Sequence, residues 1–342
     1  MPVRNTPICR QCGQSFDDVA RSRDIAAFCT ACANGRFQCA TCHSIRYLTA
    51  RFDDSNECHA CAVNRWIKPH SALPTLTPLF TSGIPLDDNI PSIGVELEVE
   101  GDANYIRTAK LITEGFPASY LICKYDGSLG TYGFEICTRP ADLQIQRHTW
   151  KESFFNVRRN YGALESFSQR ACGLHIHVSR DGISEHALAL VVCFVNLPKN
   201  RRFIQTIAGR LSNTYCQITQ KRMRNAYLST GDKYEAVNLN HPRTIEFRIF
   251  KGTLKAESFY KALEFCEALV RFCKTTYNTR RALAVNAFIR YSEENAERYP
   301  HLVGFIHNRW YGKHNPHGSN HWILRNNARP PLPPPDLQEG RE

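Results

Sequence analysis

The chain has 342 residues, of which 42% are hydrophobic and 11% aromatic, enough to pack a core and to exclude a mainly disordered chain. Lys and Arg number 43 against 32 Asp and Glu, a net charge of +11. The excess is spread along the chain without a concentrated patch, which favours diffuse solvation over a phosphate-binding groove. Met1 to Asp18 is polar and no run of about 18 apolar residues occurs, so neither an export signal nor a membrane span is expected, and the expected location is the cytoplasm.

Fifteen cysteines stand out, and eight of them precede residue 62. They form four C-x-x-C pairs: Cys9 and Cys12, Cys29 and Cys32, Cys39 and Cys42, Cys58 and Cys61. A gap of 16 residues separates the first two pairs and 15 the last two, so the pattern is a tandem repeat. Each half has the spacing of a four-thiolate zinc site. A C-x-x-C turn sets two sulfurs on one side of a bend, and two such turns complete a tetrahedron. Units this short cannot bury a core unaided, so metal must supply folding energy. Residues 1–67 therefore read as a small zinc-ribbon-like module holding two structural Zn²⁺ ions. Sequential and cross-braced pairing both remain open. The module suits recognition of a protein or a nucleic acid, with nucleic acid not favoured, or docking on the rest of the chain; the sequence does not choose between them. Residues 68–91 carry five prolines and read as an extended linker. Residues 326–342 contain PPLPPP and read as a disordered polyproline tail.

Between residues 92 and 250, four segments alternate with period two, the signature of strands with one buried face. Ser92–Glu100 sets Ile93, Val95, Leu97 and Val99 against Glu96, Glu98 and Glu100. Gly133–Arg139 sets Phe134 and Ile136 against Glu135, Cys137 and Arg139. Gly173–Ser179 sets Leu174, Ile176 and Val178 against His175 and His177. Thr244–Phe250 sets Ile245, Phe247 and Ile249 against Glu246 and Arg248. If these strands share a sheet, one face gathers carboxylates, imidazoles and guanidinium groups. Carboxylates so crowded repel unless a cation neutralises them. Oxygen and imidazole donors suit Mg²⁺ or Mn²⁺ with phosphate rather than a thiolate zinc site.

Apolar residues at three- and four-residue spacing predict helices over Ala103–Gly115, Asp142–Tyr161, Ser184–Leu197 and Ala256–Lys274. Helices covering the apolar face of the sheet would leave the charged face open as a cleft. The seven cysteines outside the tandem repeat read mostly as core residues. On that reading the reactive centre has no cysteine ligand. The histidines His307, His314, His317 and His321 read as incidental.

The segments Ile93-Gly94-Val95-Glu96-Leu97-Glu98, Gly133-Phe134-Glu135-Ile136, Cys172-Gly173-Leu174-His175-Ile176-His177-Val178 and Thr244-Ile245-Glu246-Phe247-Arg248 resemble the amidoligase family. These are carboxylate–amine ligases with a glutamine synthetase-like core. Tyr234–Leu239 and Phe250–Leu254 look like the same family. The resemblance spans about residues 91–310 and implies an α+β fold, a curved antiparallel sheet with helices on one face, for a catalytic domain over 92–325. It implies ATP and divalent metal within the sheet's funnel. Glu96, His175 and Glu246 would hold one ion, and Glu98 and Glu135 a second. His177 and Arg248 would contact nucleotide phosphates, with Arg139 and Asn238 as weaker candidates for phosphate or substrate. Asp126, in the Tyr125–Leu129 turn, is a candidate further carboxylate, or simply a turn former.

The expected function is an ATP- and Mg²⁺-dependent ligase joining a carboxylate to an amine through an acyl phosphate, with Glu135, Glu246 and Arg248 at the chemistry. A peptide or protein is an expected substrate option. Two rival readings remain: a carboxylate phosphotransferase that stops at the phosphorylated product, and a zinc-module binding protein with an inactive ligase-like scaffold.

Overall fold

The structure is a computed structural model. It describes residues 8–11, 14, 28–53, 55–81, 90–168, 171–211, 215–275, 283–312 and 337–338. Cys12, most of the polyproline tail, and His314, His317 and His321 lie outside the described residues. The chain divides into two compact units, Met1–Pro69 and His70–Glu342.

The first unit is built around thiols. Helix α1 (Thr30–Ala33) starts directly after Cys29, strands β1 (Arg36–Gln38) and β2 (Ile45–Tyr47) form a hairpin, and helix α2 (His59–Trp66) starts directly after Cys58. Strand β3 (Ile67–Lys68) ends the unit. The Sγ atoms of Cys39, Cys42, Cys58 and Cys61 lie within 4.8 Å of one another, as do those of Cys9, Cys29 and Cys32. The pairing is therefore sequential, third pair with fourth, and first with second as far as the described residues reach. Burial pushes the Cys39 thiol up, but backbone N–H groups of Cys42, Cys58 and Thr41 outweigh it and hold the thiol at about 6. Such a thiol is a ready thiolate ligand.

The second unit opens with β4 (Phe80–Thr81), whose antiparallel partner β11 (Leu337–Gln338) comes from the far end of the chain. Here the expected linker and tail pair through their backbones. Next come β5 (Ile93–Glu100), α3 (Tyr105–Gly115), β6 (Leu121–Lys124), β7 (Gly133–Thr138) and α4 (Leu143–Trp150). The rest of the unit comprises β8 (Gly173–Ser179), α5 (Glu185–Asn196), α6 (Arg201–Ala208), β9 (Val237–Asn238), β10 (Thr244–Lys251), α7 (Ala256–Thr275), α8 (Val285–Glu294) and α9 (Pro300–Phe305). The fold is α+β. Its strands run β6-β7-β5-β8-β10-β9, each antiparallel to its neighbour.

The alternating apolar residues face one way and are sealed. Val95, Leu97, Val99, Phe134, Ile136, Leu174, Ile176, Val178, Ile245 and Phe247 are all buried. Helix α3 lies against β6, α6 against β10 and α7 against β8. Asp142 caps α4 by accepting from Ile145 N at 2.9 Å, and Ser184 caps α5 by accepting from Ala187 N at 3.2 Å. The helix expected over Asp142–Tyr161 stops at Trp150. A π turn over Lys151–Phe155 and a short 3₁₀ turn over Arg158–Tyr161 replace its second half. Aromatic packing accounts for the break: Trp150 sits 4.5 Å from Phe259 and 5.3 Å from Phe154, ring centre to ring centre. The wider turn brings Phe155 onto Phe259 as well.

Candidate active site

Register places the polar residues of the sheet side by side. Glu96 on β5 stands opposite Cys137 on β7 and His175 on β8. Glu98 stands opposite Glu135, and Lys124 on β6 stands opposite Glu135 from the other side. Glu246 on β10 stands opposite His177 on β8 and Asn238 on β9. A cavity of about 770 Å³ opens on this face, lined by Glu96, Glu98, Lys124, Asp126, Glu135, His175, His177, Arg210, Glu246 and Arg248, with His70, Lys233, Tyr125, Tyr215 and Tyr234 among the remaining walls.

Three donors converge at its floor. Ligand atoms of Glu96, His175 and Glu246 lie within 4.8 Å of one another. Nδ1 of His175 is 3.5 Å from Glu96 Oε2 and 4.0 Å from Glu246 Oε1. That nitrogen is sealed from solvent and makes no hydrogen bond of standard geometry. An imidazole nitrogen held between two carboxylates is an arrangement that a hard divalent cation satisfies. On the other side of the ring, Nε2 lies 3.7 Å from Glu98 Oε1. Glu98 Oε2 accepts the backbone N–H of Gly173. A Cβ on Gly173 would come within 3.0 Å of His175 Nε2 and 3.2 Å of Glu98 Oε2, so this close approach needs glycine.

Charge sets the state of each group. Burial opposes ionisation of Glu96, but His177, His175 and Lys124 outweigh it and hold the carboxyl well below its usual range. Glu135 goes the opposite way: burial, then Glu96 and Asp126, push it to about 9 despite Lys124. Asp126 stays ionised, held at about 2 because hydrogen bonds with Glu135 and Ser128 overcome its partial burial. Its Oδ1 accepts from Ser128 N at 2.7 Å, so Asp126 both forms the turn and lines the cavity. His177 loses some basicity to burial, but Glu96, 3.5 Å away, raises it above the ordinary imidazole value.

Arg248 pairs with Glu246 and faces the cavity. Between Phe247 and Phe250 the β10–β8 register slips by one residue, so Ile249 and Phe250 are both buried. This bulge ends the strict alternation just past Arg248. Arg210 lies behind it and donates to the carbonyls of Arg248 and Ile249, fastening the bulge. Gly252 follows. A Cβ there would sit 2.1 Å from Ser166 Oγ, which itself donates to Glu98 O.

Two expected phosphate contacts do not reach the cavity. Arg139 lies one residue beyond the end of β7, and its Nε donates to the carbonyl of Thr77. Asn238 turns its side chain onto its own loop, accepting from Asn240 N at 2.7 Å and donating to Lys233 O. Cys137 also departs from expectation. It is buried beside the carboxylates, its Sγ 3.2 Å from Glu135 Oε2, so one cysteine does stand at the centre. Cys193, Cys266 and Cys273 are buried in helix faces. His307 lies 3.1 Å from Glu293 on α8, away from the site. The sequence reading missed Lys124, Arg210, Lys233 and His70. Around Lys124 the sequence offers only Leu121-Ile122-Cys123-Lys124, four residues with no polar alternation, before the Asp126 turn.

Comparison with known proteins gives three findings. No curated protein matches the chain. A chain in the crystal structure of the complex between prokaryotic ubiquitin-like protein Pup and its ligase PafA is similar with a TM-score of 0.32 and 9% identity, over 62% of this chain and 59% of that one. This chain thus spans about three-fifths of the length of that one. Residues 199–270 match the sequence model of the family described as "Putative amidoligase enzyme". That stretch runs from α6 through β10 into α7 and carries Glu246, Arg248 and Gly252, and over it the chain is similar to the amidoligase family.

Proposed function

We propose that the second unit is an ATP-dependent carboxylate–amine ligase. The observation that carries this reading is the convergence of Glu96, His175 and Glu246 beneath a cavity that also presents Arg248, His177 and Lys124. The family match over residues 199–270 supports it.

Glu96, His175 and Glu246 would hold a divalent ion, Mg²⁺ or Mn²⁺, which would neutralise phosphate oxygen charge as a Lewis acid. Arg248, anchored by Glu246 and stiffened from behind by Arg210, presents its guanidinium to the charge that builds on the transferring phosphoryl group. His177, made more basic by Glu96, donates to a phosphate oxygen in its protonated form. The reaction has two steps. A substrate carboxylate oxygen attacks the γ-phosphorus of ATP, and ADP leaves. An amine then attacks the acyl carbon, inorganic phosphate leaves, and the amine loses a proton as the amide forms. A peptide or protein is one option for a substrate, beside a small amino acid. In the first unit, the two thiol groups would hold structural zinc, with no open coordination position.

Incubation of the protein with ATP, Mg²⁺ and panels of carboxylates and amines, read by mass spectrometry, tests the reaction class. A product lighter by one water than the summed substrates, with ADP and phosphate released, is the expected result. A carboxylate heavier by one phosphate, stable to added amines, would instead establish a phosphotransferase. ATP left intact in every combination would refute both.

A further inference from the structure

Lys124 is unusual for a lysine. It is the last residue of β6 and only 6% exposed, with its ammonium fixed among carboxylates rather than in solvent. Nζ lies 3.2 Å from Glu135 Oε2 and 3.6 Å from Glu96 Oε1. The backbone pairing of Lys124 with Glu135 sets where the stem starts, and the buried stem ends against the carboxylates of Glu135 and Glu96.

This position overlaps the other places in the cavity where three protein donors converge. Among the described residues, Glu98 joins no converging group of three donors, and one of its oxygens accepts the N–H of Gly173. The remaining convergences in the cavity are Glu96–Glu135–Cys137 and His70–Asp126–Glu135. Both need Glu135, the carboxyl that Lys124 holds. An ammonium a few ångströms away repels a divalent ion strongly in a site of low dielectric.

We infer that Lys124 is a fixed cation standing in for a second divalent ion, so that this centre takes one metal ion, at Glu96, His175 and Glu246, in addition to the zinc of the first unit. The inference rests on the ligase reading for the identity of that ion's site. It revises the expectation that Glu98 and Glu135 hold an ion of their own. During phosphoryl transfer Lys124 would then balance phosphate charge from the β7 side while Arg248 balances it from β10.

The test is a titration of Mn²⁺ alone into the zinc-loaded full chain, with free ion read by electron paramagnetic resonance. Wild type and Lys124→Arg should each take up one Mn²⁺ per chain. Lys124→Met, which keeps the stem and removes the charge, should take up two, and the second should be lost again in Lys124→Met/Glu135→Gln. Two ions in wild type, or one in folded Lys124→Met, would overturn the inference while leaving the proposed centre standing. No ion in wild type would overturn both. Should Lys124→Met fail to fold, anomalous scattering from Mn²⁺-soaked wild-type crystals answers the same question. A single peak among Glu96, His175 and Glu246 supports the inference, and a peak bonded to Glu135 refutes it.

Discussion

Glu264 on α7 is fully buried, and three groups depend on it. Oε2 accepts the N–H of Leu302 at 2.8 Å, Oε1 lies 2.7 Å from Nδ1 of His301, and Arg147 Nε on α4 approaches Oε1 to 3.6 Å. One carboxylate thus fastens α9 and α4 to the helix that backs β8, the strand of His175 and His177. Glu264→Ala leaves a buried N–H without its acceptor and Arg147 without that countercharge. Removing one member of a buried charged network costs about 3–5 kcal/mol. For a unit of this size each kcal/mol is worth about 2–3 °C, so thermal unfolding followed by circular dichroism should move down by about 6–15 °C. Glu264→Gln keeps an acceptor for Leu302 and should lose less than half as much. A shift below about 2 °C in Glu264→Ala would refute the view that this carboxylate ties the helices together.

Further outcomes follow from other parts of the molecule. Gly252→Ala places a Cβ 2.1 Å from Ser166 Oγ and 3.2 Å from Cys172, so it should destabilise the second unit by about 1–3 kcal/mol in urea unfolding; a neutral result would mean that the segment holding Ser166 yields freely. Cys39→Ser should lower the zinc content from two ions per chain to one, measured by atomic absorption, because Cys39, Cys42, Cys58 and Cys61 act as one group; loss of both ions would mean that the two sites fold together. Lys261 on α7 is buried, its ammonium donating to Ile207 O and facing the rings of Phe250 and Phe305, and burial pulls it down to about 8 from 10.5. Between those values the unfolded chain holds a proton that the native state has released, so the penalty is fully present below about 8 and stability rises as the pH climbs through that window. Lys261→Met should therefore be the more stable protein at pH 7, by up to about 3 kcal/mol, with the gap closing towards pH 10; a gap independent of pH would refute the assignment.

How much of this was legible in the sequence depended on segment length and on where alternation stopped. Strands β5, β7, β8 and β10 were legible because six to eight residues of alternation identify both the strand and its two faces. Lys124 was not, since β6 offers only four residues, too few to separate a pattern from chance. Alternation extended to Arg139 runs one residue past the strand. The strand ends at Thr138, Pro140 follows, and the side chain turns to Thr77. Asn238 belongs to a two-residue strand whose side chain is spent on its own loop. Cys137 alternates onto the polar face yet reads as a core residue, because spacing cannot tell a thiol beside a carboxylate from one among hydrocarbons. The break in α4 was hidden for a similar reason: Trp150, Phe154 and Phe259 look like an ordinary helical stripe until their ring packing is known. Cysteine pairing in the first unit became definite only when the four sulfurs of the second half were seen together.

The central claim is that the Glu and His face of the sheet is a nucleotide and metal centre. Calorimetric titration of a non-hydrolysable ATP analogue into wild type and Glu246→Gln, each with and without Mn²⁺, tests it most directly. Glu246→Gln keeps the volume but removes one anionic donor and the countercharge of Arg248. The account predicts binding in wild type that requires Mn²⁺, and at least about a hundredfold weaker binding, about 2.7 kcal/mol, in a Glu246→Gln protein shown by circular dichroism to be folded. Equal binding with and without Mn²⁺, or equal affinity in a folded Glu246→Gln, would contradict it.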